Sequence, residues 1–407
     1  MARNYPKVYV TKKGENHLKS GHPWVFDAEI TGISGSYENG EIVDVYTQKE
    51  KFIGSGYIND NSKIRVRLIS RNANDKFDEA FYERRLRYAV DYRKSVMGEE
   101  DFKCCRLIFG ESDSFPGLTV DRFDNILVTQ VLSLGIEKIK DFLFPCLVKI
   151  LREYGEIIDA VYERNDVSIR EKEGMEQYKD FYKHDTLKTD LNGITTIKEN
   201  GILYNVDYIN GQKTGFFLDQ KYNRLAIKKI AKGRTVLDCF THTGAFALNA
   251  YSAGAKKVTA VDISEDALKT AKSNAILNGF DKMDFKCANV FDLLTDMKNE
   301  NKCEYDFIIL DPPAFTKSSA TVNSAYRGYK EINLKAMKLL PRGGYLATCS
   351  CSHFMTDELF RKMLKEASYD ADVSLREIEV RKQAYDHPVL WNVPETEYLK
   401  FYIFQVV

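Results

Sequence analysis

The sequence predicts an α/β protein: a doubly wound, mostly parallel sheet in the C-terminal part, preceded by a small β unit and an α+β middle unit. Three observations predict it. From about residue 215 almost to the end, apolar β-branched runs alternate with amphipathic helical stretches. Residues 1 to about 72 hold short strand-like runs joined by glycine turns, and from Asp78 the period turns helical. A chain of 407 residues, 44% hydrophobic and 29% charged, is long enough to bury more than one core.

Taken in order, the runs KVYV, EIVDVYT, FIGSGYI and KIRVRLIS, with turn signals at SGHP, SGSYENG and NDNS, suggest a small barrel or sandwich over 1–72. FDEAFYERRLRYAVDYRKSV then carries Phe81, Leu86, Ala89, Val90 and Val96 on one side of an amphipathic helix. Two or three strands around a Phe-Pro-Gly turn follow, then a helix over about 137–154 and the strand IIDAVYE, which makes 73–192 an α+β unit, with a further strand YNVDYING beyond it. EKEGMEQYKDFYKHDTLKTDLNG is polar and aperiodic and reads as a long surface loop near a boundary. Over 193–407, seven strands (RTVLDCF, KKVTAVDIS, MDFKCANV, YDFIILD, GGYLATCS and two near 374–381 and 397–406) alternate with helices at about 244–253, 265–278, 327–340 and 356–368.

Composition narrows the function classes. Lys+Arg and Asp+Glu are 59 each, so the formal charge is +0 and bulk charge does not drive nucleic-acid binding, although local patches remain open. The N-terminus lacks signal-peptide features and the most apolar run, FLFPCLVKIL, is too short to span a bilayer, so a soluble cytoplasmic protein with no membrane partner is expected. Eight cysteines without a CxxC pair fit reduced thiols, not a disulfide framework or a metal site.

The first strand of the alternation runs into Asp238-Cys239-Phe240-Thr241-His242-Thr243-Gly244, a strand end, a tight loop and a helix start. In a doubly wound sheet that loop is the usual ligand seat, but a single glycine cannot cradle a pyrophosphate, which disfavours a dinucleotide. Asp262 ends the second strand, where a carboxylate can accept from both hydroxyls of a ribose, and Asp292 stands near the next strand end, suited to an adenine amino group. These acceptors without a phosphate cradle describe S-adenosylmethionine better than NAD or ATP, with Asp238 available to its ammonium. Each acid could singly be a helix cap; Asp262 followed by Ser264 and Glu265 suits a helix start. The series along one sheet edge, with Asp311 fourth, favours a site.

The fourth strand ends in Asp311-Pro312-Pro313-Ala314-Phe315. Two prolines fix the backbone past a strand end, leaving an acid, rigid carbonyls and an aromatic that suit the edge and face of a nucleobase. The fifth strand ends Thr348-Cys349-Ser350-Cys351-Ser352. A thiolate here can add to C6 of a pyrimidine and make C5 nucleophilic, which separates carbon from nitrogen methylation. Residues i and i+2 face the same way, so period alone leaves Cys349 and Cys351 both open; Cys351 is preferred because it lies beyond the strand. Cys146, Cys239 and Cys287 read as small buried hydrophobes.

These motifs resemble a known family. VLDCFTHTGAF, VDIS, DPPAF with RGYKEIN, SCSHFM, and the later QAYDHPV and YLK look like the PUA-domain-containing methyltransferases of large-subunit ribosomal RNA that make 5-methylcytosine. The likeness covers nearly the whole chain, with HLKSGHPWVF similar to the PUA opening, ESDSFPGLTVDRF and VYERNDVSIREKEG to an EEHEE middle domain, and GFFLDQKYNR to the segment before the cofactor strand. It implies a Rossmann-like class I methyltransferase sheet, Cys351 as nucleophile and Asp311 as the acid that orients the base. It further implies cofactor contacts from Phe217, Asp219, Arg224, Phe240, Thr243, Gly244, Asp262, and Asn289 with Asp292. The implied partner is large-subunit ribosomal RNA, with a homodimer left open. His353 receives no role, and Pro-Pro-Ala replaces the Pro-Pro-Cys of another cytosine-C5 family, so no second cysteine is available from that position.

RNA contacts are expected from the basic first 24 residues, including Lys12, Lys13 and Lys19 against Glu15 alone, and from Arg65 and Arg67. Pro312, Pro313 and Phe315 would meet the flipped base. Two rivals stay open: a nitrogen methyltransferase acting on a base or protein amide, and an RNA-binding ribosome assembly factor with a silent catalytic domain.

Overall fold

A computed structural model describes residues 3–300 and 303–407. The chain forms two compact units: the first takes residues up to 197 with 206–218 and 385–396, the second takes 198–205, 219–384 and 397–407. The predicted ranges 1–72 and 73–192 therefore fall in one unit. The C-terminal unit is not the single run 193–407, because 206–218 and 385–396 go with the first.

The first unit holds a six-stranded sheet with strands in the order Trp24–Phe26, Ile64–Ser70, Phe52–Ile58, Ile42–Thr47, Lys7–Val10 and Ile30–Ser34. Alternation along these strands buries Val8, Val25, Val43, Val45 and Val66 completely. The sequence pattern gave no sign of the helix Lys12–Lys19, which starts where the Thr11 hydroxyl accepts from the Gly14 N–H at 3.1 Å. A second, five-stranded sheet (Cys104–Phe109, Leu118–Phe123, Ile126–Val131, Ala160–Asn165, Tyr178–Phe181) packs with the helices Glu79–Val96 and Leu134–Glu153 around Leu86, Val90, Val120, Leu127, Leu147 and Leu151. Its edge strand Tyr178–Phe181 lies in the stretch expected to be a loop; pairing with Ala160–Asn165 supplies the order that its polar composition does not.

The second unit is a seven-stranded sheet of β1 (Thr235–Cys239), β2 (Lys257–Asp262), β3 (Asp284–Cys287), β4 (Phe307–Leu310), β5 (Tyr345–Ser350), β6 (Leu375–Arg381) and β7 (Lys400–Val406). Its helices are α1 (Lys221–Ala231), α2 (Ala245–Ser252), α3 (Glu265–Leu277), α4 (Val290–Asn299), α5 (Val322–Leu339) and α6 (Asp357–Asp370); α1 and α4 were not anticipated. Strand order is β3-β2-β1-β4-β5-β7-β6, with β7 antiparallel to both neighbours and the first five strands parallel. The order reverses between β1 and β4, so a crevice opens beyond their carboxyl ends, where Asp238 and Asp311 lie. Ile308, Leu310, Tyr329, Ile332, Leu346 and Phe360 are buried in one core beside that crevice.

Candidate active site

The loop after β1 is folded by three left-handed residues: Phe240 (φ 63°), His242 (φ 50°) and Gly244 (φ 84°). A positive φ at a phenylalanine is sterically unfavourable and persists only where surrounding bonds over-determine it. Here they do. Fully buried Asp238 accepts from the Thr241 hydroxyl at 2.6 Å and from the Ala247 N–H, in the first turn of α2, at 2.9 Å, both through Oδ2. Asp262 accepts the His242 N–H at 2.8 Å and the Ser264 N–H at 2.9 Å, tying this loop to the one after β2. Gly244 is required twice over, by its φ and because a Cβ there would stand 3.0 Å from the Ala271 Cβ of α3.

The Asp238 Oδ1 is buried without a hydrogen-bond partner, and burial pushes the carboxyl up to about 7, with the charge of Asp311 adding to the effect. An orphaned buried oxygen in a loop compressed by glycine is a place for a ligand's polar group. It fits S-adenosylmethionine, with Asp238 for the ammonium and the half-buried Asp262 for the ribose.

Several cofactor expectations take a structural form. Ser264 caps α3 by accepting from the Ala267 N–H, as anticipated for a helix start, and Asn289, expected only as a cofactor contact, caps α4 by accepting from the Phe291 N–H. Asn289 and Asp292 are exposed beyond β3, and Phe240 packs its ring on the core while remaining partly open with Thr243. Arg224 is corrected: its guanidinium is 2% exposed and grips Glu199, itself fully buried, at 2.6 and 2.8 Å, so it closes the fold rather than a ligand site. Asp219 is buried and accepts from the Tyr398 hydroxyl at 2.7 Å. Phe217 belongs to the first unit, where the Lys213 ammonium covers its ring at 4.4 Å.

At the end of β4, Asp311 accepts from the Cys349 thiol at 2.9 Å and from the Gln220 amide at 3.1 Å. Burial pushes its carboxyl up to about 6 against those donors. Gln220, which no sequence motif singles out, also touches the Cys349 sulfur at 3.4 Å and is held by the Asn223 amide at 2.6 Å. Cys349 is therefore not only packing. Its thiol is 1% exposed and burial holds it well above the ordinary range, which keeps it a donor, not a nucleophile.

Cys351 is half-exposed in the loop beyond β5. Next to it, Ser352 is buried, hydrogen-bonded to the Tyr329 hydroxyl at 3.0 Å through its side chain and to the Lys400 ammonium at 2.7 Å through its carbonyl. Phe315 lies 4.5 Å from Tyr329, ring centre to ring centre, with one face against that core; Pro313 is exposed and Pro312 buried. Cys239 and Cys146 are buried as read, whereas Cys287 is exposed at the sheet edge beyond β2, its sulfur 3.4 Å from the Ile263 carbonyl. Among the described residues no group of His, Cys, Asp and Glu could hold a metal ion.

The basic residues of the first unit divide. Lys12, Lys13 and Lys19 are exposed on the helix Lys12–Lys19, with Lys12 and Lys19 paired to Glu15. Arg65 bridges Asp60 and Asp27. Arg67 is corrected: it is 9% exposed and bound to Glu173 at 2.9 Å and Glu111 at 3.4 Å, so its charge is spent inside the fold.

Residues 8–71 match the family model of a PUA-like domain, and residues 176–394 match that of an S-adenosylmethionine-dependent methyltransferase. Ribosomal RNA large subunit methyltransferase I of Pseudoalteromonas translucida is 40% identical over 401 residues, 98% of this chain and 99% of that one. The protein of the same name in Aliivibrio fischeri is 39% identical over 402 residues, again 98% and 99%. A solved structure from Streptococcus mutans, described as a SAM-dependent methyltransferase, superposes with a TM-score of 0.81 at 23% identity, covering 98% of this chain and all of the other. With full-length identity near 40%, a PUA-like domain and a cofactor domain that match in order, the chain belongs to the ribosomal RNA large subunit methyltransferase I family and is an S-adenosylmethionine-dependent methyltransferase.

Proposed function

We propose that this enzyme methylates C5 of a cytosine in large-subunit ribosomal RNA through a covalent bond between Cys351 and C6. The observation that carries the reading is the arrangement at one crevice: a half-exposed thiol beyond β5 and, through buried Cys349, a carboxyl at the end of β4. Cys351 adds as thiolate to C6, forming the S–C6 bond while the C5–C6 π electrons move into the ring. Asp311, with a carboxyl raised to about 6, can donate its proton to N3, which drains that charge, while its other oxygen can accept from the 4-amino group and orient the base. Bound S-adenosylmethionine supplies the electrophilic methyl group that C5 takes. Loss of the C5 proton to solvent and expulsion of the Cys351 sulfur as thiolate, with the N3 proton returning to Asp311, then restore the aromatic ring.

A paired cytosine must leave its stack to reach this crevice, and the open face of Phe315 offers a surface for it. The exposed Lys12, Lys13 and Lys19 of the PUA-like part would meet phosphates, a contact that positions RNA without reading its sequence. A cytoplasmic location accords with eight cysteines that all stand as thiols. No described helix is long and apolar enough to cross a membrane. A homodimer would add a second copy of the basic helix for RNA.

RNA containing 5-fluorocytosine tests the chemistry, because fluorine cannot leave as a proton and traps the adduct. The expected result is a complex that survives denaturation and is lost in Cys351→Ala. Undiminished methylation by Cys351→Ala would overturn the reading in favour of nitrogen methylation, in which Cys351 has no chemical part.

A further inference from the structure

Lys400 is the first residue of β7 and lies directly across the ladder from Ser350, one residue before Cys351. Its side chain is 5% exposed. A buried ammonium normally sits against a carboxylate, because an uncompensated buried charge is expensive. Lys400 does not: Nζ donates to the Ser352 carbonyl at 2.7 Å and to the Tyr398 carbonyl at 2.8 Å, and among the described residues no carboxylate is within ion-pair distance of it. The nearby acids are committed elsewhere. Glu397 pairs with Lys382 at 2.7 Å, and Asp357, at the start of α6, accepts from the Tyr402 hydroxyl.

The remaining ionisable groups around it are thiols and a phenol: Cys351 in the loop, Cys349 on β5, and Tyr329 on α5, whose hydroxyl bonds to Ser352. Cys349 is engaged with Asp311, and burial pushes Tyr329 up to about 12, so both stay protonated near neutrality. Among the described groups around Lys400, Cys351 exerts the strongest counter-charge, ahead of Asp357 and Glu397.

Resting on the cysteine mechanism above, we propose that Lys400 is the positioning residue that makes Cys351 a nucleophile, by anchoring its loop through the Ser352 carbonyl and by taking the thiol proton. In that step the S–H bond of Cys351 breaks, the proton joins the lone pair of the neutral Nζ amine, and an ammonium–thiolate pair forms. Burial lowers the Lys400 ammonium to about 8, with the charge of Cys351 the leading opposing influence, so the amine is populated near neutral pH and can accept the proton. When the sulfur later leaves C6, it returns as thiolate beside the same ammonium.

The test is the pH profile of iodoacetamide alkylation at Cys351, resolved from Cys349 by mass spectrometry, on the full chain without RNA. Wild type is expected to react with a midpoint below the ~8.5 of an ordinary thiol. Lys400→Gln keeps two N–H donors for the carbonyls but no charge, and is expected to move the midpoint up by about one unit, roughly tenfold slower alkylation at neutral pH. Lys400→Arg, charged at every pH, is expected to restore the low midpoint. An unchanged profile in a folded Lys400→Gln, or a wild-type midpoint at the ordinary value, overturns the inference. Failure of the cysteine mechanism would look different: wild type would keep its depressed midpoint and form no 5-fluorocytosine adduct.

Discussion

The Cys349 thiol donates a 2.9 Å hydrogen bond to Asp311, joining the end of β5 to the end of β4 on one side of the crevice that opens between β1 and β4, where the order of the sheet reverses. The proposed mechanism gives two cysteines two residues apart different work. Cys349→Ala removes a buried sulfur and a donor and should cost about 1–2 kcal/mol in denaturant unfolding while still forming the 5-fluorocytosine adduct. Cys351→Ala, at a half-exposed site, should unfold within about 0.5 kcal/mol of wild type and form none. The reverse pattern would exchange their roles.

Asp311 also sets a pH dependence. Its carboxyl is raised from the usual 3.8 to about 6, so the stability it contributes is full below pH 3.8 and lost as pH rises through 6. Asp311→Asn keeps an acceptor for Gln220 and Cys349 without the charge. Thermal melts should find this variant more stable than wild type at pH 8, by up to roughly 3 kcal/mol at 1.36 kcal/mol per pKa unit, with the gain gone by pH 4. Methylation should fall at every pH.

The Arg224–Glu199 pair is buried on both sides, so breaking it leaves an uncompensated charge. Arg224→Met should lose about 3–5 kcal/mol in urea, and adding Glu199→Leu should recover most of the loss. Calorimetry with S-adenosylhomocysteine on the refolded double variant decides between clamp and ligand contact: near-native affinity is expected. A loss of tenfold or more would return Arg224 to the cofactor site.

Gly244→Ala places a side chain at φ 84° and 3.0 Å from Ala271. Strain of about 1–2 kcal/mol is expected, together with weaker S-adenosylhomocysteine binding, because the loop bearing Asp238 must shift. Equal affinity in calorimetry would mean that this loop does not shape the cofactor pocket.

Lys13 and Arg67 separate a phosphate contact from a scaffold. Lys13 is exposed with no ion pair among the described residues. Lys13→Ala should weaken RNA binding evenly across sequences and reduce the salt slope by about one, leaving the melting temperature in place. Arg67→Met should lower stability by about 2–4 kcal/mol and leave the salt slope of the folded fraction unchanged.

What could be read before folding were the features that live in local pattern. The alternation from residue 215 onward foretold the parallel sheet, and acids at successive strand ends foretold the crevice, because a doubly wound sheet brings strand carboxyl ends to one edge whatever its details. Ser264 could equally be read as a cap. The stretch 178–181 was not legible as a strand, since its order comes from Ala160–Asn165 and not from its own composition.

By itself, then, the sequence determined the sheet and the cofactor class, both of which depend on residues close together in the chain. Only the tertiary structure decided the partners. It joined Gln220 to Asp311, 91 residues on, and Arg67 to Glu173, 106 residues on, and it set Lys400 beside the loop that carries Cys351. The physical reason is burial: a charged or polar side chain removed from water must find a partner wherever the fold offers one, and no local pattern names a partner a hundred residues away.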